Sequence, residues 1–137
     1  MPRDPPSATM PPYGGTVGKR TTGILGENLA CQALAERGYL IVERNWRSQR
    51  GEVDIVARDG DCWVFAEVKT RRGRWVENPE EAVSAQKVAR LADLAATYLC
   101  DHGLADVDWR IDLVSIELGQ DGHLRTLHLA KAVVAER

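Results

Sequence analysis

Residues 51–69 read Gly51-Glu52-Val53-Asp54-Ile55-Val56-Ala57-Arg58-Asp59-Gly60-Asp61-Cys62-Trp63-Val64-Phe65-Ala66-Glu67-Val68-Lys69. Two β-prone runs, Glu52 to Arg58 and Cys62 to Lys69, flank Asp59-Gly60-Asp61. Asp-Gly between such runs signals a hairpin, because glycine accepts the positive φ of a tight turn. Residues two apart on a strand share a face. Phe65, Glu67 and Lys69 therefore project to one side and Val64, Ala66 and Val68 to the other, while Glu52 and Asp54 share a face of the preceding strand. Reflection about Gly60 sets Asp54 opposite roughly residue 66, beside Glu67, and a splay or bulge in the register is needed for the two acids to converge.

Upstream, Tyr39 to Trp46 is rich in β-formers and ends in the turn-like Arg47-Ser48-Gln49-Arg50-Gly51. Before it, Leu25, Leu29, Ala30, Ala33 and Leu34 recur at helical spacing, with Thr22 as cap and Gly38 as stop, predicting a helix over about 23–37. Gly23-Ile24-Leu25-Gly26 opens this helix without a preceding strand, so it is no dinucleotide-binding turn and suits close helix packing. Downstream, Asn78-Pro79-Glu80-Glu81 opens a second helix whose apolar stripe is Val88, Leu91, Ala92, Ala95, Tyr98 and Leu99 and which ends near residue 102, before Gly103. Strands at Arg110 to Glu117 and near Leu124 to Leu129 complete the order αβββαββ, a mixed β-sheet flanked by helices in the α/β class.

The chain has 137 residues, the size of one domain. Residues 1–20 hold five of the six prolines with no apolar period, so they read as a disordered proline-rich extension ahead of a domain over 21–137. No apolar run approaches the ~20 residues of a membrane span or a secretory core, which makes the cytoplasm the expected location and a membrane no partner. Cys31, Cys62 and Cys100 are too far apart for a zinc or dithiol motif and are expected to be buried thiols. His102, His123 and His128 also lack ligand spacing. A net charge of −2 excludes a protein that coats nucleic acid through bulk electrostatics, so any such contact must be local. The local candidate is Lys69-Thr70-Arg71-Arg72-Gly73-Arg74, with Arg44, Arg47 and Arg50 nearby, although basic loops are commonly only solvated. The tryptophans Trp46, Trp63, Trp75 and Trp109 fit core or interface packing better than base stacking, Trp75 least so.

Two carboxylates converging at a sheet end make an oxygen-rich site suited to Mg²⁺ or Mn²⁺, with the Val68 carbonyl as a further oxygen. A lysine beside them, Lys69, can hold a water and stabilise charge on a phosphate. The same acids and lysine would equally serve as cross-strand surface pairs.

The spacing of Asp54, the hairpin and Glu67-Val68-Lys69 resembles the PD-(D/E)xK nuclease signature. Gly26-Glu27, Gly51-Glu52-Val53-Asp54 and Phe65-Ala66-Glu67-Val68-Lys69 together resemble the YraN family of small bacterial proteins over about residues 20–130. The resemblance implies a restriction-endonuclease-like fold, distantly similar to archaeal Holliday junction resolvases, which are dimeric and cut branched DNA with a divalent metal. By position, it implies Asp54 and Glu67 as metal ligands, Lys69 as the catalytic lysine and Glu27 as the acid of the first helix. Glu27 would equally serve as a helix-dipole partner. Gln86 and Lys87 match polar positions of the second helix in such nucleases, although Gln86 lies off the apolar stripe and would equally be solvated. Arg71, Arg72 and Arg74 become candidates for phosphate contact beside a metal centre. Arg110 and Asp112 would either pair structurally or touch the site. The function implied is a metal-dependent DNA endonuclease, acting as a homodimer on branched or structured DNA. The rival is a catalytically silent nucleic-acid-binding or protein-interaction module on the same fold.

Overall fold

Helix α1 (Lys19–Glu36) is followed by β1 (Leu40–Ser48), β2 (Gly51–Asp59), β3 (Cys62–Arg72), α2 (Ala85–Asp101), β4 (Trp109–Leu118) and β5 (Leu124–Glu136) in this computed structural model. It describes residues 19–73 and 84–136; the proline-rich extension, Arg74, Trp75 and the Asn78-Pro79-Glu80-Glu81 helix opening lie outside the described residues. The order αβββαββ and the mixed sheet are as the sequence predicts. The strands lie side by side in chain order, with β3 and β4 parallel and every other neighbouring pair antiparallel. A parallel pair needs a long crossover, and α2 lies within it.

Each helix covers one face of the sheet. Ala30 and Leu34 of α1 pack with Ile55, Ala57, Val64, Ala66, Val114 and Ile116. Leu91, Leu94, Ala95, Tyr98 and Leu99 of α2 pack with Val53, Val56, Phe65 and Ile111. Alternation along β3 thus sends its even positions to α1 and its odd positions to α2. Trp46, Trp63 and Trp109 join the α2 layer, Trp46 edge-on to Tyr98 at 5.2 Å, so they serve packing.

Several boundaries differ from the sequence reading. Helix α1 starts before Thr22, so Thr22 is a buried residue within the helix and not its cap. Its end is as expected: Gly38 takes φ 93, and Tyr39 N–H reaches back to the Leu34 carbonyl at 3.0 Å, closing the last turn. The described part of α2 is capped by Ser84, whose hydroxyl accepts the Lys87 N–H at 3.1 Å. Strand β3 runs on to Arg72, paired with β4 through Arg72 and Leu118, so Lys69 to Arg72 are strand residues and not a loop. Cys100 is exposed and Cys31 and Cys62 are only partly buried, contrary to the expectation of buried thiols.

Two irregularities carry a positive φ at a non-glycine residue among the described residues. Asn45 has φ 55, and the side-chain alternation of β1 reverses there: Arg44 hydrogen-bonds Asn28 of α1, whereas Trp46 packs on α2. Opposite, Ile55 faces α1 and Val53 faces α2, so β2 turns over at Asp54. The second irregularity is a bulge in β5 at Ala132, φ 56, whose N–H is accepted by Asp112 Oδ1 at 2.9 Å. Asp112 is fully buried and also accepts from the Tyr39 hydroxyl at 3.0 Å and Arg110 Nε at 3.0 Å, while Arg110 reaches Asp59 at 2.9 Å. Arg110 and Asp112 therefore belong to a structural network on the α1 face.

Candidate functional site

The hairpin pairs Asp59 with Cys62 across Gly60, φ 63, and its ladder runs up to Ile55 and Ala66. One further step would oppose Asp54 to Glu67, one residue on from the position expected from the sequence. Instead the ladder stops, and the Asp54 carboxylate takes the Val68 N–H at 2.8 Å. In extended backbone a residue's N–H and C=O point to the same side, so the Val68 carbonyl faces β2 as well. The reversal at Asn45 and Asp54 supplies the splay that convergence of the two acids requires.

Asp54 and Glu67 line a cleft of about 210 Å³ with Gly51, Glu52, Lys87 and Arg90, floored by Leu91 and Leu94. Three of the acids here have cations: Glu67 pairs with Lys87 at 3.0 Å, Glu27 with Arg44 at 3.6 Å and Glu52 with Arg47 at 3.7 Å. Among the described residues Asp54 has none. Burial, then the Glu67 charge, push its pKa up to about 8, with Glu27 and Glu52 adding to the rise and the Val68 N–H opposing it. Glu27 is raised too, chiefly by burial, against hydrogen bonding to Asn45 and the Arg44 charge. Asp54 is thus the acid of this cleft that has no cation of its own among the described residues.

Among the described residues no three Asp, Glu, His or Cys side chains form a ready metal cluster. Mg²⁺ does not require one, since it is commonly held by one or two carboxylates with water and substrate phosphate. Asp54, Glu67 and the Val68 carbonyl fit that pattern; Lys87 would have to yield Glu67.

Lys69 stands two residues beyond Glu67 on β3 and is half-buried. Among the described residues it has no ion pair. Glu27, on α1, adds to the rise in the Asp54 pKa through its charge, but it pairs with Arg44 and does not line the cleft that Asp54 and Glu67 share. The approach of α1 depends on Gly26, where a Cβ would collide with the Thr70 side chain. Gln86 is exposed beside the cleft and Lys87 is inside it. Arg71 is exposed near the end of β3, and Arg72 is drawn away, donating to the Gln120 carbonyl at 3.0 Å at the β4–β5 turn. Sequence reasoning missed Asn45 and Arg90. Asn is a common left-handed residue, and Arg90 lies four after Gln86 on the same helical face, so both left a faint signal.

The model of the uncharacterised protein family UPF0102 matches residues 26–116, from the glycine at the α1 contact to near the end of β4. The chain belongs to the UPF0102 family. A UPF0102 protein of Symbiobacterium thermophilum is 48% identical over 106 residues, covering 77% of this chain and 90% of the relative. One from Nocardioides is 49% identical over 98 residues, 72% of this chain and 79% of that one. Another from Streptomyces griseus is 49% identical over 107 residues, covering 77% and 90%. UPF0102 is the YraN family that the motifs resemble, and the matched stretch contains Glu27, Asp54, Glu67, Lys69, Lys87 and Arg90. Among the described residues no helix of this UPF0102 chain is long and apolar enough to cross a membrane.

Proposed function

We propose that this UPF0102 protein is a divalent-metal-dependent nuclease that hydrolyses phosphodiester bonds of branched or structured DNA in the cytoplasm. The observation that carries the reading is the Asp54 carboxylate, cation-free among the described residues and held by Val68 N–H beside Glu67 in an open cleft. A Mg²⁺ or Mn²⁺ ion there would supply Lewis-acid polarisation of a phosphate and acidify water.

The chain's own residues do the rest. Val68 N–H fixes the Asp54 carboxylate, so little reorganisation is needed when a cation arrives. Lys87, which pairs with Glu67 at 3.0 Å, would be free to meet phosphate charge from the α2 side where a bound cation takes Glu67. Lys69, without an ion pair among the described residues, stands two residues beyond Glu67 on the same face of β3, from where its ammonium would orient a water and neutralise charge that develops on the phosphate. Leu91 and Leu94 make the apolar floor, which keeps these interactions strong.

The Lys87–Glu67 pair also favours a second reading, a catalytically silent nucleic-acid-binding module in which Lys87 permanently takes the cation's place. Incubating the protein with labelled single-stranded, duplex, flapped and four-way-junction DNA in Mg²⁺ or Mn²⁺ separates the two. Cleavage that EDTA stops supports the nuclease; binding without cleavage in either metal supports the silent module.

A further inference from the structure

Most arginines of the described residues are already engaged. Arg44 and Arg47 hold acids, Arg58 pairs with Asp61 at 3.6 Å, Arg72 holds the β4–β5 turn and Arg110 holds Asp59 and Asp112. Arg50 and Arg90 differ. Among the described residues neither guanidinium has an ion pair or hydrogen bond, yet both line one open groove of about 500 Å³ with Gln86, Ala89 and Asp93.

Two chain segments build this groove. Arg50 comes from the β1–β2 turn, and Gln86, Ala89, Arg90 and Asp93 fall at helical spacing on one face of α2. Gly51 lets the two approach: a Cβ there would lie 3.3 Å from Leu94 Cδ1 and 3.8 Å from Arg90 Cδ. Arg90 lines both this groove and the carboxylate cleft, so the two are continuous through one side chain. Among the described residues Asp93 is the single acid of the groove lining, and it pairs with neither arginine. Guanidinium forks match phosphate oxygens in shape and charge.

We propose that Arg50 and Arg90 form a seat for the phosphodiester backbone of DNA, leading the strand to the mouth of the cleft that Asp54 and Glu67 line. The seat rests on the nuclease reading and specifies where the substrate runs: along the N-terminal half of α2, not across Arg71 and Arg72. Its residues read backbone and not base, so the seat contributes affinity without sequence preference.

Fluorescence anisotropy of the full chain with labelled duplex and four-way-junction DNA tests it, in EDTA to prevent cutting, between about 50 and 200 mM salt. Arg50→Ala and Arg90→Ala should each weaken binding several-fold and flatten the salt slope on duplex DNA by about 0.9 for each phosphate that is no longer neutralised. Arg50→Lys and Arg90→Lys should recover most of the slope, and Arg125→Ala, on exposed β5, should change nothing. Circular dichroism melts of each variant confirm folding. Wild-type affinity and slope in both alanine variants would overturn the seat, while metal-dependent cleavage by the wild type would leave the nuclease standing. No wild-type binding to any DNA at low salt would overturn both.

Discussion

The Asp54 carboxylate accepts the Val68 backbone N–H at 2.8 Å where the β2–β3 ladder ends at Ile55 and Ala66. A side chain has taken the place of a backbone acceptor, and it brings a negative charge to a site already flanked by Glu67. Such an arrangement is poor for stability at neutral pH and good for binding a cation.

The pH dependence of stability follows from it. Burial and Glu67 raise the folded-state pKa of Asp54 to about 8, while the unfolded carboxyl titrates in the ordinary range. Between those values the folded state binds the extra proton, so this group's contribution to stability falls as pH rises through the window and is constant below it. Asp54→Asn removes the penalty. Thermal unfolding should show it melting a few degrees above wild type at about pH 9 and level with it near pH 4. Equal melting temperatures across the range would count against an uncompensated charge.

Metal should stabilise the wild type, because a ligand that binds the folded state alone raises its melting temperature with concentration. A Mn²⁺ titration followed by differential scanning fluorimetry is expected to show a saturable rise that Glu67→Gln loses. Lys87→Met removes the cation that competes for Glu67 at 3.0 Å, so it should shift the titration to lower Mn²⁺. The opposite shift would mean that Lys87 assists the ion.

Gly26 sets the distance between α1 and β3, and with it the place of Glu27. In Gly26→Ala the new methyl meets the Thr70 side chain, so the helix must move. A loss of about 1–3 kcal/mol, typical of overpacking, is expected in urea unfolding. A neutral result would show that α1 does not sit this close.

The Arg110–Asp112 pair sits on the α1 face and holds Tyr39, Asp59 and the Ala132 bulge. Asp112→Ala leaves the Arg110 guanidinium with Asp59 as its remaining carboxylate and the Ala132 N–H without its acceptor, so a loss of about 1–3 kcal/mol is expected at neutral pH. Urea unfolding of the variant checks it, and a loss below about 1 kcal/mol would mean that the network contributes little.

The hairpin, both helices and the order of elements along the chain were legible because local signals agreed: Asp59-Gly60 for the turn, a period of two in β3, a period near 3.6 in α2. Asp54 and Glu67 were legible as a pair for the same reason. The register was misplaced by one residue, since the turn uses two residues, Gly60 and Asp61, and not three. The reversal at Asn45 was not legible, because a single left-handed residue leaves no periodic trace and tertiary packing selects it. Arg72 read as part of a basic loop because β-pairing with the distant Leu118 is a non-local fact. Arg90 was overlooked for a similar reason: the β1–β2 turn beside it is remote in sequence.

The most direct measurement is cleavage of labelled four-way-junction, flapped and duplex DNA in Mn²⁺ by wild type, Asp54→Asn, Glu67→Gln and Lys69→Met, each first shown to be folded. Cutting by the wild type is predicted, with a loss of at least about 100-fold in every variant, the scale of removing one stabilising group from a reacting centre. No cutting by the wild type, or cutting that survives in Asp54→Asn and Glu67→Gln, would contradict the assignment of this site.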